Sequence, residues 1–127
     1  MKTLIKFVHA PIAPPPAELP NFETGARLEF LGIVRALEAG RAIPGLFYEA
    51  HEPMAQRQLE RIFQELTARN PCSEILFIHR LDFVPVGEAS LFIRVSSSHR
   101  RSALLVMDEL INRLKADVPV WKRASGS

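Results

Sequence analysis

Two groups of residues have the types and spacing to do chemistry. The first is Ser96-Ser97-Ser98-His99-Arg100-Arg101, which stands where a helical pattern begins. Backbone N–H groups at a helix start lack intrahelical partners and the helix dipole favours an anion there. His99 and Arg100 add donors able to grip phosphate oxygens. The plainer reading is a set of hydroxyl caps followed by solvated arginines. The second group is Lys115 and Lys122, with Pro119 between them. Lys115 follows Ile111 by one helical turn, so its stem can run along the edge of a buried stripe while its amine reaches a cleft. Trp121 can shelter Lys122 in the same way. Partial burial and neighbouring cations depress an amine's pKa, and an amine so tuned serves as nucleophile, proton carrier or charge clamp. Taken singly, the lysines also fit a helix-terminal cation and a surface residue.

The other polar residues point to less. His9, His51, His79 and His99 have no metal-ligand spacing with cysteine or carboxylate, so no metal site is expected, and His51 and His79 read as structural. Glu49/Glu52 and Asp108/Glu109 are ordinary surface pairs. Cys72 is the single cysteine; with no partner for a disulfide, a redox pair or a thiolate site, it reads as a spectator suited to a reducing compartment.

These groups need elements to position them. The 127 residues, 47% hydrophobic and 24% charged, suit one packed domain over 1–127. No apolar run approaches the roughly 20 residues that span a bilayer, and the N-terminus lacks a secretory segment, so the expected compartment is the cytoplasm. The net charge of +2 is small, but residues 94–127 carry seven Lys/Arg against three Asp/Glu. That basic end is either a solvated face or an anion site.

Lys2 to His9 alternates like a strand and stops at Pro11-Ile12-Ala13-Pro14-Pro15-Pro16, the start of a proline-rich connector over 11–20. Gly25 to Ala36 reads as a strand, Glu38-Ala39-Gly40-Arg41 as a turn, and Leu46 to Ala50 as the return strand of a hairpin. Pro53 opens a helix with the stripe Ala55, Leu59, Ile62, Phe63, Leu66, closed by Asn70-Pro71. Ile75–His79 and Ala89–Val95 form a second hairpin through Pro85-Val86-Gly87. A second helix carries Ala103, Val106, Met107, Leu110, Ile111 and Leu114 until Pro119 breaks it. The order β, ββ, α, ββ, α, β predicts an α+β fold with mainly antiparallel sheet and two principal helices.

From about Gly25 to Arg123 the chain resembles the large, catalytic subunit of molybdopterin synthase. The runs that carry the resemblance are Phe30-Leu31-Gly32-Ile33-Val34-Arg35, Gly40-Arg41, Tyr48-Glu49-Ala50 with Met54-Ala55, Ile78-His79-Arg80, Gly87-Glu88, Val95 through Arg100, and Leu114-Lys115 with Val118-Pro119-Val120-Trp121-Lys122. The resemblance implies a hammerhead-like α+β fold and a sulfurtransferase that converts cyclic pyranopterin monophosphate to molybdopterin. It implies sulfur brought as a thiocarboxylate on the C-terminal tail of a ubiquitin-like small subunit, with large subunits dimerised inside a heterotetramer, and no cofactor of its own. Lys115 would be the principal catalytic lysine and Lys122 a second. Ile33, Val34, Arg35, His99 and Arg100 would hold the substrate, with Arg41 and Arg123 as outer cations. Asp82, Arg94 and Ala124 depart from the family pattern, as does the ending Ser125-Gly126-Ser127. The alternatives are a non-catalytic relative that binds the small subunit or a phosphorylated ligand, and a nucleic-acid module on the basic end. The second is disfavoured because that region offers one aromatic residue, Trp121, for stacking.

Overall fold

The computed structural model describes residues 1–17 and 22–124; residues 18–20 of the expected connector and the Ser125-Gly126-Ser127 ending lie outside the described residues. The larger sheet contains β1 (Lys2–Val8), β2 (Ala26–Ile33), β6 (Glu74–Arg80) and β8 (Ala89–Ser97), in the order β1-β6-β8-β2. β6 and β8 occupy its middle. Their sequences EILFIHR and ASLFIRVSS are almost continuously buried, as strands covered on both faces must be. β1 pairs parallel to β6 and the other neighbours are antiparallel.

Helices α1 (Glu52–Arg69) and α2 (Arg100–Asp117) cover one face of this sheet. α1 starts because the His51 Nδ1 accepts the Met54 N–H at 3.3 Å and Pro53 sits in the first turn, where its missing N–H costs nothing. Its stripe Ala55, Leu59, Ile62 and Phe63 meets Phe77, Ile93 and Val95 of the sheet and Val106 and Leu110 of α2. Each large side chain buried there contributes about 1.5–3 kcal/mol. Val118 caps α2, donating its N–H to Leu114 at 3.4 Å, and Pro119 prevents continuation.

The second sheet is smaller: β7 (Asp82–Pro85), β5 (Gly45–Ala50) and β9 (Val120–Ala124), with β5 central. Between β2 and β5 lies a ribbon of β3 (Leu37–Glu38) and β4 (Arg41–Ala42), turned by Ala39 and Gly40 at φ 50° and 78°. Two successive positive φ values give the turn that matches strand twist.

The α+β class, the antiparallel bias and the two helices agree with the sequence reading; three local assignments do not. The expected hairpin of Gly25–Ala36 with Leu46–Ala50 is absent. β2 pairs with β8, while β5 pairs with β7 and β9, because an alternating pattern names a buried face and leaves the partner open. The second hairpin forms between β6 and β8, but its connection carries β7 into the other sheet. The serines expected as helix caps belong instead to β8 as far as Ser97: Ser96 Oγ meets Arg27 and Glu74, and Ser97 Oγ reaches the Pro71 carbonyl at 3.0 Å. His99 is the cap residue and its side chain caps nothing.

The helix-free face of the large sheet is covered by the chain's own N-terminal segment. Ile12 packs with Leu4 and Val8 on Leu76, Ile78 and Phe92. Two of the residues that depart from the family pattern hold this segment down. The Arg94 guanidinium, buried against Phe92, donates to the Pro15 carbonyl and to Glu29, each at 2.6 Å. Asp82, at φ 68°, pairs with His9 at 2.6 Å. Neither lines the cavity of the lysines.

Candidate active site

The C-terminal end of α2 meets both sheets around a cavity of about 570 Å³. Lys115 enters it from the last turn of α2, and Trp121 and Lys122 from β9. Ile33 enters from the end of β2, Tyr48 from β5 and His79 from β6. Phe30, Leu91, Ile111 and Leu114 supply apolar wall. Pro119 creates this geometry: by ending α2 it turns the chain so that β9 runs antiparallel to β5, which puts Lys122 opposite Tyr48 in register. An apolar cavity with a few convergent polar groups is the form of a small-molecule site.

Both lysines are exposed in this chain, so the burial expected for them is not present. Trp121, 58% exposed, lines the cavity without covering Lys122. The Lys122 ammonium lies 3.6 Å from Glu38 on the β3–β4 ribbon. Arg41 stands on the same ribbon, in register with Glu38. Arg123 follows Lys122 on β9 and so turns to the other face, where it lies over the Phe47 ring and 3.7 Å from Glu49. Val34 is buried with Leu46 and Val84, and its N–H and carbonyl are engaged by Glu88 and Gly87. Arg35 is exposed and makes no ion pair among the described residues.

His79, which the sequence suggests is structural, also lines this cavity. It is 4% exposed, flanked by Phe7 and Phe77, with the Tyr48 ring edge-on at 5.0 Å. Burial pushes its pKa below the ordinary imidazole value, opposed by a hydrogen bond to the Arg80 carbonyl. Its position in Ile78-His79-Arg80 was visible in the sequence; that β6 brings it to the lysine cavity was not.

His99 and Arg100 lie elsewhere. They start α2, at a separate concavity of about 710 Å³ lined also by Gly25, Ser98, Arg101, Leu104 and Leu105. The first turn of α2 has no acidic residue and no side-chain cap, so its N–H donors face this concavity without competition. Gly25 is required here: a Cβ on it would stand 2.2 Å from the Ser98 carbonyl oxygen. Arg100 and Lys115 are 15 residues apart on one helix, about 22 Å at 1.5 Å per residue. One chain therefore does not bring the anion seat to the lysines. No cluster of three His, Cys, Asp or Glu suited to a metal occurs among the described residues, and no helix is long and apolar enough to cross a membrane.

Comparison with known proteins gives one consistent answer. The family described as MoaE protein matches residues 9–117. The molybdopterin synthase catalytic subunit of Homo sapiens is 40% identical over 99 residues, 78% of this chain and 53% of that protein. That of Pyrococcus abyssi is 40% identical over 100 residues, 79% of this chain and 68% of that protein. The chain thus spans about half to two thirds of the length of such relatives. Among solved structures, molybdopterin synthase from Staphylococcus aureus superimposes with a TM-score of 0.84 at 31% identity, covering 94% of this chain and 89% of that one. A complex of subunits 1 and 2 of the molybdopterin-converting factor from Helicobacter pylori gives 0.69 at 25% identity, covering 81% and 67%.

Proposed function

The chain belongs to the MoaE protein family, and from that premise we propose that it is the catalytic subunit of a molybdopterin synthase, moving sulfur onto cyclic pyranopterin monophosphate. The observation that carries this reading is the cavity where Lys115 and Lys122 converge from α2 and β9 beside apolar wall. Sulfur arrives on the thiocarboxylated tail of a ubiquitin-like small subunit. The single cysteine, Cys72, is not among the residues lining the cavity, which supports an external sulfur donor. The cytoplasm is the proposed compartment.

Lys115 and Lys122 act as fixed cations where negative charge grows as the cyclic phosphate opens, and cations held in place before reaction cost no reorganisation. Ile33 and the cavity's apolar wall seat the pterin, with Arg35 and Arg41 as further cations for the substrate. The phosphate needs the His99–Arg100 seat, which in the same chain lies about 22 Å from Lys115. A second copy supplies it. In a two-fold dimer each surface meets its own equivalent, and the exposed Leu104 and Leu105 beside the seat offer apolar contact for such an interface. Closure by the second copy and by the small subunit's tail also accounts for the exposure of the lysines in a chain taken alone.

The test is direct. Purified chain, thiocarboxylated small subunit and cyclic pyranopterin monophosphate are expected to yield molybdopterin, and Lys115→Ala is expected to lower kcat by roughly 10²-fold or more. No product with an authentic small subunit refutes the reading; full turnover by the variant refutes the role of Lys115.

A further inference from the structure

Besides the two lysines, the cavity is lined by the ionisable side chains of Tyr48 and His79, and of these the imidazole is the one with a nitrogen lone pair able to take a proton near neutral pH. The His79 ring spends Nδ1 on the Arg80 carbonyl at 2.8 Å. A carbonyl only accepts, so Nδ1 carries the hydrogen and Nε2 presents its lone pair. Nε2 has no hydrogen-bond partner among the described residues, yet it is not sealed off: among them the buried orphan polar side-chain atom is the Arg80 Nε. His79 lines the lysine cavity, and Nε2 is its one nitrogen without a hydrogen-bond partner among the described residues. Phe7, Phe77 and the edge of Tyr48 hold the imidazole in this orientation. A backbone hydrogen bond that fixes the tautomer and aromatic walls that fix the ring are what a positioned proton carrier requires.

We propose that His79 is a catalytic proton carrier of the lysine cavity, its Nε2 taking a proton from bound pterin as sulfur adds and returning it to the oxygen that sulfur displaces. The proposal rests on the sulfur-transfer reading above. In the first step a substrate O–H or N–H breaks, its electron pair stays on the substrate, and an Nε2–H bond forms. In the second the imidazolium N–H breaks and the departing oxygen gains the proton, so the ring ends neutral as it began. Lysine ammonium groups can donate but carry no lone pair while charged; His79 supplies the missing acceptor. The titratable groups that share the cavity with it are Tyr48 from β5, Lys115 from α2 and Lys122 from β9. Phe7 on β1 and Leu91 on β8, its neighbours in register, add no charge. Burial favours the neutral ring that the first step needs, against the opposing hydrogen bond to the Arg80 carbonyl.

His79→Asn tests this, because the asparagine amide can keep the N–H toward the Arg80 carbonyl while removing Nε2. The expected result is a folded variant with KM within a few-fold of the parent and kcat lower by about 10²-fold. In the parent, protonation consumes the acceptor, so kcat falls on an acid limb that lies beneath the ordinary imidazole value of 6.5 because burial lowers the His79 pKa; the variant lacks that limb. Unchanged kcat, or a persisting limb, overturns the proposal and leaves the sulfur-transfer reading intact. A parent that makes no molybdopterin instead overturns that reading. Should the variant fail to fold, ¹⁵N NMR of the parent's histidine rings decides. The His79 Nε2 is expected unprotonated at pH 7 and shifted by added cyclic pyranopterin monophosphate; a protonated Nε2, or one unmoved by the pterin, refutes the proposal.

Discussion

Mixing two inactive variants should restore activity. Lys115→Ala removes the lysine side of the site and Arg100→Ala the anion seat, and the helix between them is about 22 Å long. Loss of a charge-assisted hydrogen bond at Arg100 costs about 1.5–3 kcal/mol, roughly 10- to 150-fold, so each variant alone falls to about 10% of parental turnover or less. If each site takes its lysines from one copy and its anion seat from the other, a mixed dimer has one site with both substitutions and one with neither. Random exchange makes about half of all dimers mixed, so about a quarter of all sites are intact. Turnover should therefore recover to about 25% of the parent, and mixed dimers purified through two different tags should reach about 50%. The assay is molybdopterin formation after co-expression, with the tags establishing that exchange occurred. Purified mixed dimers no more active than the better parent variant would refute the two-chain site.

Two further outcomes can be checked on the chain itself. Gly25→Ala forces the Ser98 carbonyl away from a Cβ that would stand 2.2 Å from it, so it should raise KM for the phosphorylated substrate several-fold and lower stability by about 1–3 kcal/mol; unchanged KM would show that Gly25 does not set the seat. Burial pushes the Cys72 thiol up to about 11 from 9.0, so at pH 8 its thiolate fraction falls by roughly 100-fold. Iodoacetamide should label the native chain about that much more slowly than the urea-unfolded chain, and equal rates would contradict the burial.

The parts legible in the sequence were those with local causes. The stripes Ala55–Leu66 and Ala103–Leu114 recur every three to four residues, and Pro53 and Pro119 act on their own backbone, so both helices could be placed from local spacing alone. β2 could be recognised as a strand but not paired, because its partner β8 lies more than 50 residues away and nothing in an alternating pattern encodes distance. Ser96 and Ser97 looked like caps because serine serves both roles; Arg27, Glu74 and Pro71, which hold them in the sheet, are contributed by other elements. At the site, Lys115 and Lys122 were marked by their spacing around Pro119. The role proposed for His79 could not be read from the sequence, because it lies in which atom of the ring is left without a partner, and that depends on Arg80, Tyr48 and the strand order together.

The order β1-β6-β8-β2 also sets a schedule for synthesis. Lys2 pairs with Glu74 and Ala26 with Ser97, so neither of the first two strands can find its neighbour until about 70 more residues have been made. At about 5–20 residues per second, a ribosome holds each strand waiting for roughly 4–14 s. During that interval Leu4, Leu28 and Phe30 are open to any other sheet edge. Codon choice or chaperone supply over the stretch encoding α1 should therefore alter the yield of folded chain without changing the finished molecule.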